Sequence, residues 1–289
     1  MLASFTQHLG ASQRVLALLG AGLSASSGIP TYRGPGGFWT TYSDQQLATP
    51  GAFRSDPCLV WQFYEHRREQ VLAAQPNAAH FALARLASLK PGFLAVNQNV
   101  DGLCQRAGHP SEQIVNYHGS LFRVRCVDES CDYKADDYNV PIVPALQQPP
   151  PSSPSQKNTD DARFPLNDNI SVQDLPHCPR CKTNLLRPDV VWFGEGVPEE
   201  NAARVEEWLS QSDSCDLMLV IGTSAMVRPA AGYIQKARQR GARIAFFNLE
   251  VKEAGVARPE EADWSFVGDA AEMLPMALAK FLKDNGATI

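Results

Sequence analysis

The feature that most narrows what this chain can become is the run Arg14-Val15-Leu16-Ala17-Leu18-Leu19, followed at once by Gly20-Ala21-Gly22-Leu23-Ser24-Ala25. A short run, apolar after its first residue, suits a strand covered on both faces better than a helix. The hexapeptide after it fits G-x-G-x-x-A. In that turn two glycines let the backbone bend tightly and approach a pyrophosphate, while a following helix N-terminus offers N–H groups to the charge. An ordinary strand-to-helix turn would read the same, so the rest of the chain has to support it. A hydride-transfer enzyme built this way would show a second strand ending in an acid about 20 residues on. Here that region reads Pro30-Thr31-Tyr32-Arg33-Gly34-Pro35-Gly36-Gly37, a loop. The mismatch argues against hydride transfer, and the acid is better sought at Asn248-Leu249-Glu250.

Further short apolar runs recur at 93–96, 217–221, 244–247 and 264–267. Helical patterns lie between or after them, at 57–74, 77–88, 199–210, 230–240 and 270–283. This alternation predicts an α/β fold with a Rossmann-like parallel sheet, helices on both faces, and ligands outside the carboxyl ends of the strands. Two stretches break it. The expected organisation is a nucleotide-binding domain from 1–33, 80–122 and 186–289, with a smaller lobe made of a helical insertion (34–79) and a cysteine-bearing module (123–185). Within the latter, 147–168 is rich in Pro, Ser, Asn and Asp and reads as a mobile surface loop.

Of 289 residues, 44% are hydrophobic, enough for a packed core. No apolar run approaches the roughly 20 residues needed to cross a bilayer, so no membrane association is expected. The net charge is −5 without a basic tract, a poor basis for nucleic-acid binding. The seven cysteines follow no secretory signal, so a reducing compartment is expected, mitochondrial matrix or cytoplasm. Residues 1–14 lack the Arg-rich look of a transit peptide, and organelle entry by another route stays open. Cys58, Cys104 and Cys215 stand alone. Cys126-x4-Cys131 and Cys178-x2-Cys181 offer four thiolates suited to tetrahedral structural zinc, the second pair at zinc-ribbon spacing; free pairs or a disulfide are the alternative.

The stretch Gly20-Ala21-Gly22-Leu23-Ser24-Ala25-Ser26-Ser27-Gly28-Ile29-Pro30-Thr31-Tyr32-Arg33 resembles the signature segment of the sirtuins, the NAD-dependent protein-lysine deacylases. Gln98-Asn99-Val100-Asp101-Gly102, His118-Gly119, the two cysteine pairs, Arg187 to Glu195, Gly222-Thr223-Ser224 and Asn248-Leu249-Glu250 follow in family order, over nearly the whole chain. Two positions depart from the commonest pattern: Asn97 stands where Thr usually precedes Gln-Asn, and Cys104 replaces the usual His. Tuning, not loss of activity, is expected from them.

The resemblance implies that the acyl oxygen of a modified lysine attacks the nicotinamide ribose of NAD, nicotinamide leaves, and a ribose hydroxyl then attacks the resulting imidate with help from a general base. A histidine with a pKa near neutrality suits that task, and His118 occupies the family's position. Asn99 and Asp101 are implied at the nicotinamide-ribose end. The implied NAD site comprises Gly20, Ala21, Gly22, Ser24, Ala25, Gly28, Ile29, Pro30, Thr31, Tyr32, Arg33 and Trp39, then Gln98, Asn99, Val100 and Asp101. Gly222, Thr223, Ser224, Asn248, Leu249, Glu250 and Ala270 complete it. The resemblance also places structural zinc on Cys126, Cys131, Cys178 and Cys181.

Val191-Trp192-Phe193-Gly194-Glu195 reads as apolar and β-prone after Val190, and the resemblance sets it beside the acyl-lysine tunnel, where substrate backbone can pair as an added strand. Tyr64 and Arg67, at i and i+3 of a predicted helix, point to the same side. They resemble the pair with which class III sirtuins grip the carboxylate of succinyl-, malonyl- or glutaryl-lysine, with Ala48 as the small residue that widens the pocket. The expectation is a monomeric deacylase of acidic acyl-lysines on proteins. The alternatives are a deacetylase of the same fold, an ADP-ribosyl transferase, or a non-catalytic module holding NAD and zinc.

Overall fold

In the computed structural model, which describes residues 1–31, 47–147, 166–249 and 263–287, the apolar runs at 14–19, 93–96, 217–221, 244–247 and 264–267 become strands. In chain order the strands are β1 (Arg14–Leu19), β2 (Gly92–Asn97), β3 (Ile114–Asn116), β4 (Gly119–Cys126), β5 (Lys134–Asp136), β6 (Leu186–Val190), β7 (Leu217–Ile221), β8 (Arg243–Asn248) and β9 (Trp264–Val267). The α-helices among the described residues are α1 (Leu2–Ala11), α2 (Pro50–Ser55), α3 (Pro57–Ala73), α4 (Ala78–Leu89), α5 (Leu103–Arg106), α6 (Glu199–Ser210), α7 (Gly232–Gln239) and α8 (Ala270–Asp284). None is long and apolar enough to cross a membrane.

The chain divides into two compact units. The first comprises Met1–Gly28, Gln75–His118 and Val197–Ile289; the second comprises Ile29–Ala74 and Gly119–Gly196. In the first, a six-stranded sheet runs β3-β2-β1-β7-β8-β9 with every pair parallel. Numbered within the sheet this is 3-2-1-4-5-6, the doubly wound order, which reverses between β1 and β7. Alternation along the strands explains the covering helices. Val15, Ala17 and Leu19 pack on one face with residues of α1, α4 and α8, such as Phe5, Leu83 and Leu278. Leu16 and Leu18 pack on the other with Val205, Trp208 and Ile234 from α6 and α7.

The second unit holds a three-stranded antiparallel sheet, β5-β4-β6. Helix α3 starts where Asp56 Oδ1 accepts the N–H of Leu59 at 2.8 Å with Pro57 as its first residue, both ordinary start signals. Its Trp61 Nε1 donates to the Leu186 carbonyl of β6 at 2.9 Å.

Several expectations need correction. No α-helix follows the glycine turn. Two 3-10 turns, Ala21–Leu23 and Ala25–Ser27, stand there, and Gly28 ends them at φ 85°. Helix α1 was not legible as a helix; its Phe5 packs edge-on to Phe247, Trp264 and Phe266. Residues 119–122 and 186–196, read as part of the nucleotide-binding domain, belong to the second unit because β4 pairs with β6. After Val190 the chain leaves the strand for a turn. Most of the loop read at 147–168 lies outside the described residues.

Charge is buried in the second unit. Arg68 is fully enclosed. Its Nη1 donates to the Leu121 carbonyl (2.7 Å), and its Nη2 to the carbonyls of Asp137 (3.0 Å) and Asn139 (2.8 Å) and to Asp137 Oδ1 (3.2 Å). Glu65, equally enclosed, lies 3.6 Å from Arg68 Nε and accepts the N–H of Ile142 at 3.3 Å, while its Oε1 has no hydrogen-bond partner among the described residues. Burial pushes the Glu65 carboxyl up to about 7, despite Arg68 and the Ile142 N–H favouring the charged form. A raised folded pKa means stability that is complete below the unfolded value of about 4.5 and is lost as pH rises through 7. Glu65→Gln, which stays neutral, should therefore gain about 2–3 kcal/mol on the parent between about pH 5 and pH 8. Urea unfolding of both proteins at the two pH values checks this; a constant difference would refute it.

Candidate active site and thiolate cluster

The first unit gathers its polar groups at the carboxyl ends of β1, β2 and β7. Gly20 N–H donates to the Ile221 carbonyl (2.9 Å) and Gly22 N–H to the Gly222 carbonyl (2.8 Å). A Cβ added at Gly22 would lie 2.8 Å from Gly222 Cα, and one added at Gly222 would lie 2.3 Å from the Leu23 nitrogen. The two loops touch only because neither has side chains there. The N–H groups of Leu23 and Ser24 are also taken, by the carbonyls of Gly20 and Ala21. The glycines thus serve the contact between loops, and the N–H groups of Gly20, Gly22, Leu23 and Ser24 are not open donors.

Ser24 lies at the centre of a buried network. Its hydroxyl donates to Asp101 Oδ2 at 2.7 Å and accepts from Asn99 Nδ2 at 3.3 Å, and Asn99 Nδ2 also donates to the Gly20 carbonyl at 2.9 Å. The other Asp101 oxygen, Oδ1, accepts the N–H of Leu103, the first residue of α5, at 2.9 Å. His80, not singled out in the sequence, completes the group. Its Nδ1 accepts the N–H of Asn77 (3.2 Å), so its Nε2 carries the proton and faces the Ser24 oxygen at 3.3 Å. Burial holds the His80 imidazole down at about 4, although Asp101 works in the opposite sense. It is a neutral donor.

His118 follows β3. Its Nδ1 lies 3.1 Å from the Gln98 carbonyl; a carbonyl only accepts, so Nδ1 carries the hydrogen and Nε2 keeps its lone pair. Burial lowers its pKa below the usual histidine value, and the Gln98 carbonyl offsets this in part. At neutral pH the ring is an unprotonated base.

Gln98 Oε1 accepts from Thr223 Oγ1 at 3.4 Å, and Asn248 Nδ2 donates to the Thr223 carbonyl at 3.2 Å. Val100 is buried, while Ser224 and Leu249 are exposed. Ala25 and Gly28 belong to the second 3-10 turn and its end. Ala270 opens α8, with its side chain in the core. Ile29, Pro30 and Thr31 begin the second unit. Tyr32, Arg33, Trp39 and Glu250 lie outside the described residues.

In the second unit Tyr64 and Arg67 are both buried on α3, with 1% and 4% of their surface exposed; a solvated arginine, the ordinary state of that residue, is not what the fold makes of Arg67. Tyr64 Oη accepts from Trp192 Nε1 at 2.8 Å, and Phe53 packs on the same indole with ring centroids 5.4 Å apart. The carbonyl of Ala48 accepts the N–H of Phe193 at 2.9 Å. Val191 is half-buried and Phe193 exposed, and Gly194 has φ 88°. Glu195 is committed elsewhere: its Oε2 accepts from Arg187 Nη2 (2.9 Å) and from the Trp192 N–H (2.8 Å). Burial alone would raise the Glu195 carboxyl, but Arg187 overrides it and holds it below the ordinary range. The Arg187 guanidinium lies 3.3 Å over the Trp192 ring, a stacked cation that fixes the indole.

The four paired cysteines converge. Sγ of Cys126 lies 3.8 Å from that of Cys181, and Sγ of Cys131 lies 3.8 Å from that of Cys178, with all four within 4.8 Å of one another. These separations exclude disulfides, whose sulfurs sit about 2.05 Å apart. They match thiolates about 2.3 Å from a common centre, which at tetrahedral angles are about 3.8 Å apart. The donor set fits zinc and closes its coordination sphere.

A Sir2 family model matches residues 20–229. A protein named NAD-dependent protein deacylase, from Candida albicans, is 39% identical, covering 98% of both chains. The mitochondrial NAD-dependent protein deacylase sirtuin-5 of Danio rerio is 41% identical over 96% of this chain and 87% of its own. Among solved structures, a Sir2 homologue in complex with NAD superposes with a TM-score of 0.78 and 34% identity, covering 98% of this chain and 94% of that one. The strand order, the glycine contact, the buried serine network, the four-cysteine cluster and these end-to-end likenesses agree: the chain belongs to the Sir2 family, the sirtuins.

Proposed function

We propose that this protein is an NAD-dependent protein-lysine deacylase that prefers acidic acyl groups, succinyl, malonyl or glutaryl. The NAD-dependent protein deacylases that it matches along their lengths support the reaction. The two glycine loops suit NAD because their close contact holds the ends of β1 and β7 together at the point where the strand order reverses, the place where such sheets bind nucleotides. When bound, NAD supplies a ribose carbon from which nicotinamide can be displaced.

The chain's own residues do the rest. Ser24, Asp101 and the neutral His80 hold the Asn99 carboxamide at the end of β2, ready to orient the nicotinamide-ribose end. His118 Nε2 takes a proton from a ribose hydroxyl, a role for which a lowered pKa keeps the base free. The proposed NAD contacts are those of the described loops, Gly20 to Thr31, Gln98 to Asp101, Gly222 to Ser224, Asn248 and Leu249, with the backbone of Ala270.

The observation that carries the acyl preference is a guanidinium and a phenol buried on one helix, in contact with an aromatic wall. A guanidinium can fork onto a carboxylate and a phenol can add a hydroxyl donor, and Arg67 and Tyr64 would take these roles when substrate binds, with Tyr64 Oη accepting from Trp192. Ala48 keeps that wall open for the longer tail. Val191, Trp192, Phe193 and Gly194 would meet substrate backbone, while Glu195, bound by Arg187, would shape the turn. The proposed substrates are acyl-lysines on proteins, processed by a monomer with no nucleic-acid partner. The word mitochondrial in the names of relatives favours that compartment.

Three outcomes test the reading. His118→Ala should lower acyl transfer by about 10²- to 10⁴-fold while the protein stays folded; retained turnover removes the base. Arg67→Met should cut desuccinylation about 10- to 100-fold, the worth of a charge-assisted pair, and spare deacetylation. Equal loss on succinyl- and acetyl-peptides would reject the carboxylate grip and favour a deacetylase. Native mass spectrometry should find one zinc per chain, and stripping it with a chelator should unfold the second unit, seen as lost amide protection in β4 and β5; an intact unit without metal would refute a structural role.

A further inference from the structure

The position that departs from the commonest sirtuin pattern just before Gln98 has a structural role in this chain. Asn97 is the last residue of β2 and has no exposed surface. Its Oδ1 accepts the N–H of Asn99 at 3.1 Å, and its Nδ2 donates to Asn116 Oδ1 at 3.2 Å. Asn116, two residues before His118, is the register partner of Asn97 at the end of the β2–β3 ladder. The same Asn116 oxygen accepts from Gln105 Nε2 at 2.8 Å, and the Asn116 carbonyl accepts from Asn201 Nδ2 at 2.9 Å. The ladder's closing bond runs from the Tyr117 N–H to the Asn97 carbonyl at 2.8 Å. Beyond it, the His118 ring meets the Gln98 carbonyl.

We propose that Asn97 is a positioning residue that locks two catalytic arms together, the turn carrying Asn99 and the strand end carrying His118. A carboxamide has a donor and an acceptor on separate atoms, so it serves both arms at once. A threonine hydroxyl would have to serve both from one oxygen nearer the main chain. Asn97 and Asn99 are buried and Asn116 is half-buried, so a broken link leaves a shielded polar group without its partner and an incentive to shift. This inference rests on the deacylase reading: Asn99 acts at nicotinamide displacement, His118 at the later proton transfer, and Asn97 sets one against the other.

Two variants separate the arms. Asn97→Asp keeps an acceptor for the Asn99 N–H but faces Asn116 Oδ1 with a carboxylate, so only the His118 arm loosens. Asn97→Leu, of similar volume, breaks both links. The first readout is amide hydrogen exchange in the free protein. The Asn99 N–H should stay protected in the parent and in Asn97→Asp, and exchange at least about tenfold faster in Asn97→Leu. The second readout is the ratio of labelled nicotinamide exchange into NAD to acyl transfer on a succinyl-peptide. Asn97→Asp should raise that ratio about tenfold by slowing the step that needs the base, and Asn97→Leu should lower both rates. An unchanged ratio and unchanged protection, however far the melting temperature falls, would reduce Asn97 to a structural residue and overturn the proposal. If the leucine variant does not fold, the aspartate ratio decides alone. A parent that releases no nicotinamide with any acyl-peptide would end the deacylase reading and the catalytic role of Asn97 with it, while the exchange data would still report the anchor itself.

Discussion

Everything in the first unit depends on two loops touching without side chains. Gly20 and Gly22 at the end of β1 meet Gly222 at the end of β7 so closely that a single methyl group on any of them would collide with main-chain atoms. Because the N–H groups of Gly20 and Gly22 are bonded across this contact, the strand ends are held at the point where the sheet order reverses. Ser24, one turn later, is thereby placed to reach Asn99 and Asp101 at the end of the neighbouring strand. The chemistry proposed for the unit uses groups whose separation is set by that backbone contact and by the parallel pairing of β1 with β2.

Much of the sheet was legible because strands buried on both faces read as uninterrupted apolar runs, and those runs match β1, β2, β7, β8 and β9 closely. The rest was harder to see for physical reasons. Helix α1 buries only Phe5 and Leu9, a stripe too thin to stand out ahead of a strongly apolar strand. Strands β3 and β5 have three residues each, too few to show a period. Strand β4 did carry a signal, since Phe122, Val124 and Cys126 are buried while Arg123 is exposed, but Leu121, buried as well, interrupts the alternation. The helix expected after the glycine turn rested on dinucleotide-binding turns in general; here the chain closes into 3-10 turns because Leu23 and Ser24 bond three residues back.

Candidate site residues are legible where they sit in a motif and opaque where they act through a distant partner. Asn99, Asp101, His118 and the four cysteines stand in recognisable spacings. The partnership of Arg187 and Glu195 has no signal in the sequence, because their ion pair, which braces the Trp192 indole, needs the turn after β6 to exist. Burial also inverts the ordinary expectation for α3. A helix with so many charged residues reads as solvated, yet Glu65, Arg67 and Arg68 are all enclosed. The three carbonyls that receive Arg68 come from β4 and from the chain after β5, and no local pattern announces them.

His80 joins two tasks that are usually kept apart. One ring nitrogen closes the capping box at the start of α4, accepting the Asn77 N–H; the other addresses the Ser24 hydroxyl. A glutamate or glutamine, the customary residue at that place in a capping box, would satisfy the helix but could not offer the same rigid second nitrogen. Fraying of the first turn of α4 and disorder around Ser24 are therefore one event seen from two ends. Any substitution that strengthens this helix start at position 80 therefore also removes the nitrogen that faces the Ser24 hydroxyl.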